Sequence, residues 1–381
     1  MLPTLVSGGM GGTEVYAENL VLHLRENADE RLDITVVRGR QPNHFQPVNT
    51  SKTIYRDNFR DITIDAVTAG LTHGSKAWAW LNSTLRRHSI WSDIESAAGG
   101  RIDIAVYPLS AVQPAPRGRT KTVSIIHDVQ HRDMPGAFTV AQRIYRKFTY
   151  ERPASRAAAV VTVSDFSRES VISHLRVDPT RVRRVYPGID TTIFHAAASP
   201  ELLTEPARTM AAGKPVAQAL LFFPARALPH KNHARLLAAV AKLRERWPDL
   251  RLILSGSDGE ALGTLPDYVT HVGNISAVQV RDLYRVSTVV FPSLYEGFGF
   301  PPLEALATGA TVVSSRVGAL AEWKTEAVVF VNPSSVESIS EGIEATLQRT
   351  VTKISDPTTV VASTFNWKTT ADEITELLVN L

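Results

Sequence analysis

The sequence predicts an α/β fold in two domains, each built on a parallel β-sheet. Short apolar runs alternate with amphipathic helical patterns along most of the chain, which is typical of βαβ units. The 381 residues also exceed what one hydrophobic core usually serves. The stretch Ala196–Pro215 is rich in Ala, Pro and other small residues and breaks both patterns. We therefore expect the domain boundary near residues 190–215.

In the first half, six apolar runs are predicted to be strands. They are Leu2–Ser7, Ile34–Val37, Ile104–Tyr107, Val123–Ile126, Val160–Val163 and Val182–Tyr186. A helix is predicted over Thr13–Arg25, with an apolar face formed by Val15, Leu20, Leu22 and Leu24.

The second half repeats the alternation. Its predicted strands are Ala219–Pro224, Arg251–Ser255, His271–Val272, Thr288–Phe291 and Thr311–Ser314. Its predicted helices are His233–Arg246, Ala277–Val286 and Leu303–Thr308.

The composition excludes several classes of protein. The chain has no Cys, so it has neither disulfides nor thiolate metal sites. Its 41 basic and 38 acidic residues leave a net charge of +3, without the dense basic stripe of a nucleic-acid binder. The start lacks the basic and apolar regions of a signal peptide, and no apolar run is long enough to span a bilayer. We expect a soluble, cytoplasmic protein that is at most peripheral to the inner face of a membrane.

The segment Ser293–Ala305 carries the sharpest motif of the chain. It follows the predicted buried strand Thr288–Phe291 and precedes the helix predicted to begin at Leu303. Gly297 and Gly299 allow a tight turn and a close approach of the backbone to a ligand. The segment therefore indicates a ligand-binding loop rather than a plain strand-to-helix connection.

An anion is the ligand that this loop favours. Pro301 and Pro302 suit the first turn of a helix, where a missing N–H costs least. Backbone amides beside a helix N-terminus attract phosphate groups. The residues predicted to bind a diphosphate in this way are Gly297, Phe298, Gly299 and Phe300.

Two carboxylates bracket the loop. Glu296 leaves the strand end, and Glu304 is expected in the first helical turn. A carboxylate accepts hydrogen bonds from a diol but repels a phosphate, so Glu304 suits a ribose and Glu296 suits sugar hydroxyls.

With this pair, the chain resembles family 4 of the retaining GT-B glycosyltransferases. Glu296 and Glu304 match the E-x7-E motif of that family, and the continuation Ala305–Ser315 with Gly318 and Glu322 is also similar. The resemblance covers nearly the whole chain and is strongest over Ala225–Pro333.

The resemblance implies an α/β GT-B fold, in which two Rossmann-like domains face each other across a cleft. Residues 1–195 would be the acceptor-side domain and residues 196–365 the domain that binds the nucleotide sugar. Residues 366–381 would form a C-terminal helix that packs back on the N-terminal domain. The implied activity is transfer of a hexosyl group, with retention, from a nucleotide-diphosphate sugar to a hydroxyl of a carbohydrate or lipid-linked acceptor. Such a reaction serves polysaccharide, glycolipid or glycoside biosynthesis.

Two cations support a diphosphate site. Arg226 and Lys231 lie between the predicted strand Ala219–Pro224 and the helix that follows it, near the carboxyl end of the strand, where α/β sheets bind ligands. Two cations offset the charge of a diphosphate and stabilise it as a leaving group. The family has a similar Gly-Arg…Lys segment, although Ala225 stands here where Gly is usual.

Small residues also follow the next two predicted strands. Gly256 and Ser257 follow Arg251–Ser255, and Gly273 follows His271–Val272. Turns of this kind commonly form the floor of a nucleobase site, although turn chemistry alone explains each residue equally well.

A glycine-rich loop, Gly8–Gly12, precedes the first predicted helix. Such a loop can approach a phosphate or an acceptor closely. The dinucleotide fingerprint G-x-G-x-x-G would need Gly where Glu14 stands, which disfavours a nicotinamide site. The family resemblance assigns Gly11 and Gly12 to the cleft facing the donor phosphates.

His127 and Asp128 end the predicted strand Val123–Ile126. The imidazole of His127 would donate a hydrogen bond to a sugar hydroxyl, and the family has a His here that contacts the donor sugar. The resemblance of His127–His131 and Pro135 to mannosyl- and rhamnosyl-type members favours such a sugar. Ser164 also matches a family segment, and capping of the next helix explains it equally well.

No D-x-D pair and no H-E-x-x-H occur, so we expect neither a metal ion nor any other cofactor. Three alternatives remain: a same-fold epimerase or phosphorylase, a nucleotide-binding module without chemistry, and the disfavoured oxidoreductase. Separately, the segment Arg143–Tyr150 interleaves cations with aromatic residues on a predicted helix. It suits either docking on anionic lipid or an ordinary helix with solvated cations and buried rings.

Overall fold

The computed structural model describes residues 12–27, 29–39, 59–64, 87–196, 203–205, 207–211, 220–323, 327–348 and 357–381. The chain forms two compact units. Residues 1–187 and 367–381 form the first unit, and residues 188–366 form the second. The predicted strand Leu2–Ser7, the loop Gly8–Gly11 and most of the boundary segment lie outside the described residues.

The first unit contains six described strands and seven described α-helices. The strands are β1 (Ile34–Gly39), β2 (Phe59–Ile64), β3 (Ile104–Tyr107), β4 (Lys121–Ile126), β5 (Ala159–Thr162) and β6 (Val182–Arg184). The helices are α1 (Gly12–Glu26), α2 (Arg87–Ala98), α3 (Gln130–Asp133), α4 (Val140–Arg146), α5 (Arg152–Arg156), α6 (Asp165–Leu175) and α13 (Trp367–Val379). A π-helical turn, Lys147–Glu151, joins α4 to α5.

The strands of the first unit pair in parallel. β1 pairs with β2, and β3 to β6 form a second sheet in sequence order. β5 lies inside this second sheet, and all four of its residues are buried, as expected for a strand that is covered on both faces. The helix α13 returns to α1, where the ring centroids of Trp367 and Tyr16 lie 5.5 Å apart.

The second unit contains six strands and six α-helices among its described residues. The strands are β7 (Leu220–Pro224), β8 (Arg251–Ser255), β9 (Val269–His271), β10 (Thr288–Phe291), β11 (Val312–Ser315) and β12 (Val328–Val331). The helices are α7 (Ala207–Ala211), α8 (His233–Arg244), α9 (Ala277–Val286), α10 (Phe300–Ala307), α11 (Val336–Gln348) and α12 (Pro357–Thr364).

The sheet of the second unit is parallel throughout, in the order β12-β11-β10-β7-β8-β9. Numbered within the unit, this is the doubly wound order 3-2-1-4-5-6. The strand order reverses between β7 and β10, which pair directly through Thr288–Leu221 and Val289–Phe222. Phe223 and Phe291, one from each of these two strands, pack edge to face with centroids 5.3 Å apart. The loops that leave β7 and β10 therefore start side by side at one edge of the sheet.

Several elements differ from their sequence-based predictions. The strand predicted at His271–Val272 is β9, Val269–His271, and the strands β2 and β12 had no predicted counterpart. On α1, Val15 and Leu22 are exposed, because Tyr16, Ala17, Leu20 and Leu24 form the buried face instead.

The helix predicted to begin at Leu303 begins three residues earlier, at Phe300. Gly299 adopts a left-handed conformation (φ 96°) and stands at the N-cap, and the following prolines fill the first helical turn. Glu304 therefore lies beyond that first turn, one helical turn into α10, and not in the first turn as expected.

Candidate active site

In the second unit, Lys231 and Glu296 meet beside the point where the strand order reverses. Lys231 ends a short 3₁₀ turn that follows β7, and Glu296 lies in the loop that follows β10. The Lys231 ammonium donates to the Glu296 carboxylate over 2.6 Å, and the two side chains are 17% and 9% exposed. In doubly wound sheets, ligands bind at this edge and at this reversal.

Asn232 fixes the position of Lys231. Its side-chain amide donates to the carbonyl of Pro292 over 2.9 Å and to that of Pro333 over 2.8 Å. Its backbone is left-handed (φ 68°), a conformation that Asn tolerates better than most residues. Asn232 had no role predicted from the sequence; an Asn between a predicted strand and a predicted helix was the only signal.

The loop after β10 is fixed by a backbone hydrogen bond to the turn at Gly318. The Glu296 carbonyl accepts a hydrogen bond from the Ala319 amide over 3.1 Å. A side chain at Gly299, where φ is 96°, would strain the backbone and displace a methyl of Leu320 that lies 2.4 Å from the position of its Cβ. The aromatic ring of Phe298 is buried against Phe300, with centroids 4.9 Å apart. Phe298 could therefore contact a ligand only through its backbone.

Glu304 lies on α10 and faces α9. Its carboxylate accepts a hydrogen bond from the Tyr284 hydroxyl over 3.2 Å. Burial raises the pKa of Glu304 to about 7, the hydrogen bond from Tyr284 acts in the opposite direction, and the charge of Asp190 adds to the rise. The carboxylate therefore changes charge near neutral pH, and Tyr284 is a partner that the sequence analysis missed.

Arg226, the other predicted cation, follows β7 directly. Its Nε and Nη2 atoms donate to one oxygen of Asp258, over 3.0 and 2.9 Å. Asp258 also accepts from Ser257 over 3.0 Å, and the hydrogen bond from Arg226 is the main cause of its lowered pKa. Both side chains are more than a third exposed, so solvent screens the pair and it contributes little to stability.

A cavity of about 650 Å³ opens beside this ion pair, at the ends of β8 and β9. It is lined by Gly256, Ser257, Asp258, Gly259, Glu260, Ala261, His271, Gly273 and Asn274. Its volume lies in the usual range for small-molecule sites. The amide of Gly256 donates to the carbonyl of Gly273 over 2.9 Å, which joins the two strand ends. The structure thus brings Gly256, Ser257 and Gly273 together, as the sequence analysis grouped them.

In the first unit, His127 follows β4. Its Nε2 lies 2.7 Å from the carbonyl of Pro108, which can only accept, so Nε2 carries a proton and donates. Burial lowers the pKa of His127, which keeps the ring neutral. In this tautomer Nδ1 has no proton, so it can accept a hydrogen bond from a sugar hydroxyl but cannot donate one. This differs from the prediction made from the sequence, in which the imidazole is the donor.

Gly12 is the first residue of α1, and Gly11 lies outside the described residues. Tyr16, one turn further along α1, packs edge-on against the His127 ring, with centroids 4.8 Å apart. The Ser164 hydroxyl caps α6 by accepting from the Ser167 amide over 3.0 Å. Among the described residues, no three His, Asp or Glu side chains are grouped so as to bind a metal ion.

Two family models match the chain on either side of the predicted boundary. Residues 10–193 match Glycosyltransferase Family 4, and residues 209–353 match Glycosyl transferases group 1. The chain belongs to the group 1 glycosyltransferase family. This membership confirms the resemblance found in the sequence.

Curated relatives of the family align with more than half of the chain. The O-antigen chain mannosyltransferase RfbU of Salmonella typhimurium is 25% identical over 237 residues, which are 59% of this chain and 60% of the relative. The O-antigen chain mannosyltransferase B of Escherichia coli is 30% identical over 254 residues, 61% of this chain and 63% of the relative. The chain thus spans about 60% of the length of these curated relatives.

Similar solved structures extend the likeness to nearly the full chain. A sucrose-phosphate synthase from Thermosynechococcus elongatus has a TM-score of 0.73 at 20% identity and covers 99% of this chain and 95% of its own. Anabaena HepE, solved in complex with UDP and glucose, has a TM-score of 0.68 at 18% identity and covers 98% of both chains. At such identities the likeness establishes the fold: GT-B, with two Rossmann-like domains, as predicted.

Proposed function

We propose that the chain is a retaining glycosyltransferase that moves a hexosyl group from a nucleotide-diphosphate sugar to an acceptor hydroxyl. The observation that carries the proposal is the contact of Lys231 with Glu296 at the strand-order reversal of the second unit. A cation for a phosphate and a carboxylate for sugar hydroxyls stand together there, beside the N-terminus of α10. Membership of a glycosyltransferase family supports the same reading.

The donor would bind along the strand ends of this unit. The cavity beside Gly256 and Gly273 would take the base, and Glu304 in its ionised form would accept from the ribose hydroxyls. Arg226 and Lys231 would bind the diphosphate, together with the amides at the start of α10. The base would thus lie at the ends of β8 and β9, and the sugar beside the loop that follows β10.

Catalysis would rest on stabilising the departing diphosphate. As the bond between the anomeric carbon and the phosphate oxygen breaks, negative charge grows on the phosphate, and fixed cations stabilise that charge most in the transition state. The acceptor oxygen forms the new bond on the same face, and its proton passes to the phosphate oxygen that leaves. In this front-face route Glu296 orients the sugar and forms no covalent bond.

His127 and the acceptor belong to the proposed role of the first unit. The unprotonated Nδ1 of His127 would accept a hydrogen bond from a hydroxyl of the donor sugar. The acceptor would be a carbohydrate or a lipid-linked sugar. The names of the relatives, two O-antigen chain mannosyltransferases among them, support a mannosyl donor and a role in polysaccharide or glycolipid synthesis.

A panel of nucleoside diphosphates tests the donor site. UDP, GDP, dTDP and ADP are each added to the protein, and the melting temperature is recorded beside that of Lys231→Ala. A ligand at 100 times its dissociation constant stabilises the protein by about 2.7 kcal/mol. We expect one nucleotide to raise the melting temperature of the wild type clearly more than that of the variant. No shift with any of the four would contradict the proposal.

Hydrolysis of the nucleotide sugar, measured next, distinguishes a transferase from the alternatives. The nucleotide sugar whose base stabilises the protein is incubated without acceptor, and released sugar is measured. A transferase should release free sugar slowly, whereas a binding module releases none and an epimerase converts the donor without hydrolysis. The same reaction with the mannosyl, glucosyl and rhamnosyl forms of the donor identifies the sugar.

A further inference from the structure

Three of the six exposed large apolar side chains among the described residues, including the two most exposed, lie on one short helical segment of the first unit. Val140 is 62% exposed, Ile144 is 52% exposed and Phe148 is 38% exposed. They recur every four residues, so they follow one another along one face of α4 and into the π-helical turn. No residue of α4 is buried. A contiguous row of exposed apolar side chains, unlike single scattered ones, is typical of an interaction surface.

The charge around this row is positive. Between Asp133 and Asp165 the sequence holds five cations, Arg143, Arg146, Lys147, Arg152 and Arg156, against the single acid Glu151. Of these cations, Arg143, Lys147, Arg152 and Arg156 are exposed.

The one acid does not offset this charge at the surface. The Glu151 carboxylate pairs with Arg132 and with His131, whose Nε2 lies 3.0 Å away, and its side chain is only 11% exposed. The exposed face therefore presents apolar groups and cations.

Contacts on the inner side of the segment fix its orientation. Thr149 is buried, and its carbonyl accepts from the Val112 amide over 2.9 Å. The guanidinium of Arg146 lies 4.6 Å from the centre of the Phe138 ring and 5.1 Å from that of Tyr150. Because these residues occupy the inner side, the row of Val140, Ile144 and Phe148 cannot turn inward without breaking them.

We infer that this surface, formed by Val140, Arg143, Ile144, Lys147 and Phe148, docks on an anionic lipid bilayer. The apolar side chains would enter the boundary between headgroups and acyl chains, and the cations would bind lipid phosphates. None of the described helices is long and apolar enough to cross a bilayer. The inference does not depend on the donor chemistry, which involves residues of other elements.

Lipid fits this surface better than its alternatives. A second copy docked through the same surface would oppose cations to cations, which is unfavourable. A peptide partner would need a groove, whereas this is the convex face of a single helix. A bilayer accepts a convex amphipathic helix and supplies both the apolar phase and the negative charge.

The test is co-sedimentation of the full chain with vesicles. Vesicles of phosphatidylglycerol and phosphatidylcholine are compared with vesicles of phosphatidylcholine alone, at low and at high salt. We expect binding to the anionic vesicles that weakens as salt rises. The variant Arg143→Gln/Lys147→Gln should bind about 30-fold more weakly, since each cation near an anionic surface contributes about 1 kcal/mol. Ile144→Ser/Phe148→Ser should lose at least tenfold.

Matched controls separate docking from general attraction. Arg117→Gln/Arg119→Gln removes the same charge from exposed positions of the same unit, and Leu22→Ser removes an apolar side chain that is 38% exposed, as is Phe148. Both controls should bind like the wild type, and all variants should keep the wild-type melting temperature and donor hydrolysis.

Three outcomes would overturn the inference. They are absence of wild-type binding to anionic vesicles at low salt, equal losses in the control variants, and self-association in sedimentation that Ile144→Ser/Phe148→Ser abolishes while vesicle binding persists. Because donor hydrolysis is measured separately, failure here leaves the proposed transferase unaffected.

Discussion

Lys231 and Glu296 form an ion pair across the two loops that leave β7 and β10, with 2.6 Å between the ammonium nitrogen and the nearer carboxylate oxygen. Each member holds the other in place before any donor arrives. A cation that is already positioned stabilises a leaving phosphate without reorganisation during the reaction. Arg226 is compensated in a similar way by Asp258, on a more exposed part of the same edge. Both predicted phosphate ligands thus have an acidic partner that a diphosphate must share or displace.

The cations provide the first prediction. Lys231→Ala and Arg226→Ala each remove a charge-assisted bond that strengthens as the diphosphate leaves, and turnover should fall by roughly 10²–10³. Lys242→Ala is the control, because Lys242 forms an ion pair of the same kind with Glu337 on exposed helices. The measurement is kcat with saturating donor. Near-normal turnover in both active-site variants would mean that Arg226 and Lys231 serve only as surface cations.

Glu296 provides the second prediction. Glu296→Gln retains an acceptor for sugar hydroxyls and removes any nucleophile, so transfer should weaken by about tenfold, whereas Glu296→Ala should lose considerably more. In the front-face route no sugar is attached to the protein at any stage. Intact-protein mass is therefore recorded after rapid quench with donor and a slow acceptor. A glycosyl adduct on Glu296 or Asp128 that forms and decays at the turnover rate would establish double displacement instead.

Glu304 provides a prediction about pH. Its pKa of about 7 means that it loses its charge, and with it an acceptor for the ribose, as the pH falls through neutrality. Nucleoside diphosphate affinity, measured by calorimetry, should fall in the wild type as the pH drops from about 8 to about 6, because protonation sets in over this window. Glu304→Gln should bind weakly with little change over the same range. An equal slope in the variant would assign the titration to another group.

Ionisation of Glu304 also affects the stability of the fold, in the direction opposite to its effect on nucleotide binding. The pKa of Glu304 is raised from 4.5 to about 7, so its favourable contribution is complete below about 4.5 and is lost as the pH rises through about 7. Without ligand, Glu304→Gln should melt above the wild type at pH 8, and this advantage should shrink towards pH 5. Ligand binding and stability therefore place opposing demands on this carboxyl.

Metal removal provides a further prediction. The sequence has no D-x-D pair to hold a divalent cation, and the proposed site stabilises the diphosphate with side-chain cations and a helix N-terminus. Activity should survive an excess of EDTA. Complete loss on chelation, followed by recovery with Mn²⁺ or Mg²⁺, would require a different model of the site.

Gly256 provides a structural prediction. Its φ is 125°, and a methyl group there would lie 2.9 Å from the carbonyl carbon and oxygen of Ala225. Gly256→Ala should lower the free energy of unfolding by about 3 kcal/mol or more. Gly263 also has a positive φ, of 67°, but has open space around it, so Gly263→Ala should cost only about 1–2 kcal/mol. Urea unfolding of both variants measures the difference; equal losses would show that the contact with Ala225 relaxes.

Much of the second unit could be predicted from the sequence because its strands are buried on both faces. Such strands appear as uninterrupted apolar runs, as Thr288–Phe291 does, and parallel strands bring the residues that follow them to one edge. β2 escaped prediction because Arg60, Asp61 and Thr63 interrupt its apolar residues. β12, Val328–Val331, is an uninterrupted apolar run and was nevertheless missed.

The contacts of individual side chains could not be predicted in the same way. The pattern of Ala277–Val286 indicates a helix with a buried face, but it does not say that the hydroxyl of Tyr284 meets Glu304. Likewise, the position of His127 followed from the end of a strand, whereas the role of each ring nitrogen depends on the carbonyl of Pro108, a residue 19 positions away. Such pairings are set by the fold as a whole.

The C-terminal helix α13 completes the first unit, although it is encoded after the whole of the second. The chain therefore passes from one unit to the other twice, after residue 187 and again after residue 366. Neither matched family segment, 10–193 nor 209–353, contains α13, yet Trp367 packs against Tyr16 and the Thr370 hydroxyl donates to the Tyr186 carbonyl over 2.7 Å. Chimeras that exchange donor specificity between relatives must consequently be spliced at two junctions, and a recipient should keep its own final helix together with its own N-terminal half.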